Sequence, residues 1–142
     1  MTIKNNTVHD NGGIGIICPL DCYNITIEDN VVYNNTKMGI MFSRNMTDSI
    51  ARFNNVSNED RGIVISESSN NEIYNNTVSE SGSGIEVDED SFENTIHDNT
   101  MADIDYPESV LGIEDDAGDR NTLYSNVFLD STSGSITELA PP

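Results

Sequence analysis

Gly62-Ile63-Val64-Ile65-Ser66-Glu67-Ser68-Ser69-Asn70-Asn71-Glu72-Ile73-Tyr74-Asn75-Asn76-Thr77-Val78 is the stretch on which the fold turns. Its apolar residues come in short runs alternating with polar ones, which is strand rather than helix periodicity. Asn and Gly interrupt every segment before a helical stripe can form. The same phrase recurs along the chain. The pattern apolar-x-x-Asn-x-apolar reads Ile3-Asn6-Val8, Ile27-Asn30-Val32, Ala51-Asn54-Val56, Ile73-Asn76-Val78, Ile96-Asn99-Met101 and Leu123-Asn126-Phe128. The steps between these Asn residues are 24, 24, 22, 23 and 27. A Gly-Ile pair follows in each unit, at Gly15-Ile16, Gly39-Ile40, Gly62-Ile63, Gly84-Ile85 and, delayed, Gly112-Ile113, with a blurred sixth at Gly134-Ser135-Ile136. Three units add an Asn two residues before the leading apolar position, at Asn71, Asn94 and Asn121.

A period of this size, with two or three short strands and Asn/Gly turns per unit, describes one coil of a parallel β-helix. Successive coils lie roughly 4.8 Å apart, so five coils and a partial sixth make a rod on the order of 25 Å long. The apolar positions then stack inward as rows, Ile3, Ile27, Ala51, Ile73, Ile96, Leu123 in one and Val8, Val32, Val56, Val78, Met101, Phe128 in another. Asn suits the turns twice over, because it tolerates a left-handed backbone and its amide can bond to the same group one coil away. Gly before Ile supplies either a positive-φ corner or a tight approach. The leucine-rich repeat has a similar period, but its Leu-x-x-Leu-x-Leu signature is absent. The expected fold is all-β, a right-handed parallel β-helix in one domain over residues 1–142.

The pattern Asn-Asn-Thr-Val … Gly-Ile-x-Ile … Asn-x-Ile resembles the repeat of right-handed parallel β-helix proteins, especially the NosD-like family, over residues 3–130. The resemblance implies the fold. It leaves function open, since the wider superfamily holds polysaccharide lyases, uronate epimerases, glycosidases, phage tailspikes and surface proteins.

The chain carries 25 acidic and 6 basic side chains, a formal charge of −19. Phosphate binding needs clustered Lys and Arg, so nucleic acid is excluded as a partner, and the same deficit opposes an anionic membrane surface. No apolar stretch approaches the roughly 20 residues of a membrane span. Composition alone leans towards disorder. The repeat removes that reading, because a solenoid tiles a thin core from modest hydrophobicity. After residue 80 there are 15 acidic residues and one basic, so the charge belongs to the later coils. The repeat starts at Ile3 with no room for a cap and no apolar leader before it. The expectation is a piece of a longer secreted or cell-surface protein, the rival being open ends that stack on other copies.

Several residues invite a chemical reading. Glu86, Asp88, Glu114 and Asp116 gather on coils four and five, with Glu86 and Glu114 at equivalent positions. Carboxylates held that close recruit a hard cation such as calcium or perturb one another's titration. The family resemblance adds that lyases of this fold pair such groups with calcium and a Lys or Arg base, for which only Arg120 is near, whereas a glycosidase needs two carboxylates alone. A solvated acidic face is the alternative. The outward row Lys4, Glu28, Arg52, Tyr74, His97, Tyr124 ends in three rings, which would form a flat strip about 10 Å long from the coil spacing. Such a strip suits glycan binding, or is ordinary strand composition. His97 is also the acid–base imidazole within reach of the acidic cluster. A further outward row, Ile17, Met41 and Val64 followed by Glu86 and Glu114, is apolar over three coils and implies a covering partner. Cys18 and Cys22 flank a corner as a disulfide or as free thiols, and a metal there would need two more ligands. Met38, Met41 and Met46 carry either copper through soft ligation or ordinary packing. The six sequons at Asn5, Asn24, Asn34, Asn45, Asn55 and Asn75 are glycan acceptors or by-products of the turn code. The function expected from these features is an extracellular or cell-surface module, structural or glycan-interacting, with no cofactor required. A polysaccharide-active enzyme and an end-to-end scaffold are the alternatives.

Overall fold

In a computed structural model, residues 1–105, 113–115, 120–130 and 135–138 are described, with side chains for 1–105 and 120–129. The chain winds through three parallel sheets, each receiving one strand per coil. The first sheet stacks β1 (Thr2–Lys4), β4 (Thr26–Glu28), β7 (Ile50–Arg52), β10 (Glu72–Tyr74), β13 (Thr95–His97) and β16 (Thr122–Tyr124). The second stacks β2 (Thr7–His9), β5 (Val31–Tyr33), β8 (Asn55–Ser57), β11 (Thr77–Ser79), β14 (Thr100–Ala102) and β17 (Val127–Asp130). The third is wider, with β3 (Ile14–Cys18), β6 (Met38–Ser43), β9 (Arg61–Ser66), β12 (Ser83–Val87) and β15 (Ile113–Asp115). This is a parallel β-helix of about five coils.

The pairing register matches the repeat residue for residue. Ile3 faces Ile27, then Ala51, Ile73, Ile96 and Leu123. Val8 leads through Val32, Val56 and Val78 to Met101 and Phe128. A third row, Ile16, Ile40, Ile63, Ile85, Ile113, comes from the residues after the glycines. From the second to the fourth coil these rows are fully buried. A one-residue slip would turn every apolar row outward, so the core itself enforces the register.

Of the two roles open to the glycines, close approach is the one used. A Cβ on Gly62 would fall 2.6 Å from the Gly84 carbonyl oxygen and inside the Val78 side chain. The two jobs given to Asn are divided between neighbours. The left-handed position at the first corner is the residue before the row Asn, namely Asn5, Asp29, Phe53, Asn75, Asp98 and Ser125, with φ between 52° and 57°.

The row Asn residues build the hydrogen-bond column. Asn6, Asn30, Asn54, Asn76 and Asn99 each donate backbone N–H and Nδ2 to the Oδ1 of the next coil's Asn, at 2.9–3.1 Å, ending on Asn126. The same Nδ2 groups from Asn30 onward also donate to a carbonyl one coil back, on Ile3, Ile27, Ala51, Ile73 and Ile96. A second column joins the Ile25 N–H to Ser49 and then Asn71, Asn94 and Asn121. Buried corners would otherwise hold orphaned backbone groups at a cost of about 1–3 kcal/mol each, so the columns are what let the turns be tight and dry.

The sixth unit departs from expectation. Ser135–Glu138 (β18) does not continue the third sheet through Ile136. It turns back and pairs antiparallel with β17, Leu129 opposite Ile136. An antiparallel return satisfies the outer edge of β17, an edge that would otherwise template further pairing.

Candidate functional site

The outward row of the first sheet forms the register expected of it, Lys4, Glu28, Arg52, Tyr74, His97, Tyr124. Its contacts are more specific than a list of exposed residues. Lys4 Nζ lies 2.8 Å from Glu28 Oε1, and Arg52 lies 2.6 Å from Glu28 Oε2. Lys4 first, then Arg52, holds the Glu28 carboxyl below the usual carboxylate range. Arg52 also donates to the Tyr74 hydroxyl at 2.8 Å. Tyr74, His97 and Tyr124 then stack face to face, with centroids 5.0 and 4.7 Å apart and planes within 3° and 9° of parallel. The rings stand on edge to the sheet rather than lying as a flat strip. Coil spacing is close to ring-stacking distance, so rings on one row satisfy each other first. Both faces of His97 and one face of each tyrosine are thereby occupied.

His97 is clamped in its own plane as well. Nδ1 lies 2.7 Å from Asp98 Oδ2 and Nε2 lies 3.0 Å from Glu72 Oε1. Burial alone would lower its pKa, but the two carboxylates outweigh this and hold the imidazole above its ordinary value. With both ring nitrogens engaged by carboxylates, the imidazole is held in place by the fold.

The acidic group is tied into the fold in the same manner. Asp88 accepts from Ser66 Oγ at 2.6 Å, Ser91 Oγ at 2.7 Å and the Glu67 N–H at 3.2 Å. Burial raises its pKa, yet these donors prevail and hold it below the usual carboxylate value. Glu86 accepts from Ser83 Oγ at 2.6 Å and lies 3.5 Å from Arg61. Glu114 is paired with Glu86 through the backbone, while its side chain and the whole of Asp116 lie outside the described residues. Among the described residues no cluster of three His, Cys, Asp or Glu forms a metal site. Arg120 donates to the Glu89 carbonyl.

Cys18 and Cys22 are joined as a disulfide across the corner after β3, Cα atoms 6.2 Å apart. Met46 is wholly buried in the core. Met38 and Met41 instead line a shallow groove on the outward face of the third sheet, with Lys37 and Arg44 on one flank and Arg61 and Glu86 further along. The expected apolar row is present there, Ile17 paired with Met41 and Met41 with Val64. Ile17 is 40% exposed, whereas Val64 is covered to 4%.

One buried group escaped the sequence reading. Glu59 sits where the two preceding coils have Asn11 and Asn35 and the next has Ser81, forming a third corner column. Its Oε1 accepts from Asn35 Nδ2 at 2.8 Å, while Oε2 is buried without a partner. Burial pushes its carboxyl above the usual range despite the Asn35 bond. The spacing Asn11, Asn35, Glu59, Ser81 repeats the 24, 24, 22 steps of the first row and could have revealed it.

A family model described as "Periplasmic copper-binding protein (NosD)" covers residues 1–137. No curated protein and no solved structure matches. The soft donors singled out in the sequence do not fit a copper ion. The thiols are spent in a disulfide, Met46 is core, both His97 nitrogens face carboxylates, and the Met38–Met41 pair shares its groove with three cationic side chains. With the parallel coils, the amide columns and a match over nearly its whole length, the chain belongs to the NosD family of β-helix proteins.

Proposed function

We propose that this chain is a non-catalytic binding and scaffold module of the periplasm or the cell exterior. One observation carries the reading. The acid–base candidates Glu86, Asp88 and His97 each bond between coils or within one coil, so their oxygens and ring nitrogens are engaged in holding the solenoid. General acid–base chemistry needs a group free to exchange a proton with substrate. The compartment follows from the family's printed description and agrees with a disulfide at the first corner.

Glycan contact on Tyr74, His97 and Tyr124 belongs to this proposal in altered form. Sugars would meet ring edges and hydroxyls, since the stacked faces are occupied. Glycan-array binding that disappears in Tyr74→Ala and Tyr124→Ala supports such contact, and binding indifferent to both removes it. The non-catalytic reading is tested by incubating the protein with polygalacturonate and calcium and following unsaturated product by ultraviolet absorbance. No product is expected. Product that vanishes in Glu86→Gln or Asp88→Asn would overturn the proposal.

A further inference from the structure

Asn11-Gly12 is the one Asn-Gly pair among 19 asparagines. An asparagine loses its amide when the next residue's backbone nitrogen attacks the side-chain carbonyl, so that nitrogen must be unbonded and unshielded. The solenoid withholds it at corner after corner. The amides after Asn24, Asn45, Asn58, Asn70 and Asn75 donate one coil onward at 3.0–3.3 Å, to serine hydroxyls or to an Asn Oδ1. Those after the column residues Asn30, Asn54, Asn76 and Asn99 donate to a carbonyl one coil back at 2.9 Å. Asn6, in the same coil as Asn11, is followed by Thr7, whose β-branched side chain crowds its nitrogen. Asn11 has neither protection. The Gly12 N–H bonds to no group among the described residues. Around both Gly12 and Gly13 the place of a Cβ is open space. The Asn11 side chain is exposed and held by one bond, from Nδ2 to Asn35 Oδ1 at 2.8 Å.

We infer that Asn11 is a self-modification site, which converts to aspartate and isoaspartate in the folded protein. The Gly12 nitrogen bonds to Asn11 Cγ and gives up its proton. The Cγ–Nδ2 bond breaks, ammonia departs and a cyclic succinimide remains. Water then opens the ring. Attack at Cγ releases the Gly12 nitrogen from the side chain and leaves aspartate. Attack at the main-chain carbonyl leaves isoaspartate, with the chain now running through Cγ. Water is the only co-reactant. Either product adds one negative charge and removes the Nδ2 donor, so the corner column Asn11, Asn35, Glu59, Ser81 loses its first side-chain link. Isoaspartate also lengthens the backbone between β2 and β3, the stretch that sets Ile14–Cys18 in phase with Met38–Ser43. The inference is independent of what the chain binds.

The experiment incubates the folded full-length chain in mildly alkaline buffer and follows the mass gain that accompanies replacement of NH2 by OH. Fragment masses of the tryptic segment between Lys4 and Lys37 locate the change, and an isoaspartyl methyltransferase with labelled methyl donor counts isoaspartate. Modification is expected at Asn11 ahead of every other asparagine. Gly12→Val should slow it by about tenfold or more, since a β-branched side chain shields the attacking nitrogen, and Gly12→Ala should slow it less, with circular dichroism unchanged in both. In urea, where the bonds between coils are gone, further asparagines should join in. Native-state modification spread over several asparagines, or an unchanged rate in Gly12→Val, overturns the inference. Asparagines that stay silent in urea as well overturn protection by the coils as its basis. The residue 11 N–H, which rests on Asn35 Oδ1 at 3.3 Å, should exchange faster in Asn11→Asp, and equal exchange overturns the loss of the link.

Discussion

Replacing Asn76 by Ala tests the claim that amide columns, not only apolar stacking, hold the coils together. Asn76 is 1% exposed. Its Oδ1 accepts from the Asn54 backbone N–H at 3.0 Å and from Asn54 Nδ2 at 2.9 Å, and its Nδ2 donates to the Ala51 carbonyl at 2.9 Å and to Asn99 Oδ1 at 3.0 Å. After truncation Asn54 Nδ2 keeps the Ile27 carbonyl, and Asn99 Oδ1 keeps the residue 76 N–H. One buried group, the Asn54 N–H, is left without a partner, and the Ala51 and Tyr74 carbonyls each lose an amide donor. At about 1–3 kcal/mol for the orphan and about 0.5–1.5 kcal/mol for each lost bond the cost is about 2–6 kcal/mol, a large part of a typical total of about 5–15 kcal/mol. The same change at Asn6 removes bonds to the Lys4 carbonyl and Asn30 at an exposed corner and should cost under about 1 kcal/mol. Urea titration of both variants supplies the midpoints and slopes. Amide exchange at Asn54 reports whether loss is local to the third and fourth coils, since solenoids unfold by neighbouring units. Equal destabilisation by Asn76→Ala and Asn6→Ala, or no loss of protection at Asn54, would refute the reasoning.

Four further outcomes are expected. Gly62→Ala, which drives a Cβ into the Val78 side chain and the Gly84 carbonyl, should cost about 1–3 kcal/mol, whereas Gly12→Ala, with open space around it, should shift the urea midpoint little. Phe53→Asn should raise stability by about 1 kcal/mol, because an exposed aromatic held at φ 55° carries backbone strain that Asn tolerates, and the thermal midpoint will show it. The stabilisation from His97 is fully present below its unfolded pKa and is lost as pH rises through the raised folded value; urea midpoints across neutral pH should fall for the wild type and flatten in His97→Gln. Glu59 likewise has a raised folded pKa, so its folded state holds a proton that the unfolded chain has released. Stability should therefore decline as pH climbs from the usual carboxyl range through that value, and Glu59→Gln should abolish this slope and be the more stable protein at neutral pH.

The coil architecture was legible because its determinants are periodic. One side chain per coil at a constant phase must stack, so spacing alone defines the rows headed by Ile3 and Val8. Details set by rotamers and neighbours were not legible. The row Tyr74, His97, Tyr124 was visible, but whether rings lie flat or stack on edge depends on coil spacing against ring thickness. Glu28 was placed in the row by spacing, and the 2.8 and 2.6 Å contacts show it joining Lys4 to Arg52. Glu59 was missed because a carboxylate in a column of amides looks like a surface residue. The left-handed corner could not be placed in advance, since the residue that adopts it is Asn, Asp, Phe or Ser from coil to coil and follows no single type. Ser135–Glu138 reversed direction because edge pairing with β17, a tertiary effect, outweighed the faint Gly-Ser-Ile echo.

The amide columns also give the rod a direction. In the first column each Nδ2 from Asn6 to Asn99 gives a hydrogen to the oxygen of the coil that follows, so these bonds all point the same way, and Asn126 closes the column by donating to the Ile96 and Tyr124 carbonyls. Each bond between coils is thus heterologous, giving on one side and accepting on the other, the opposite of a contact built about a twofold axis. The antiparallel strand Ser135–Glu138 takes up the outer edge of β17, so the second sheet finishes in a pairing of opposite sense to the column beside it.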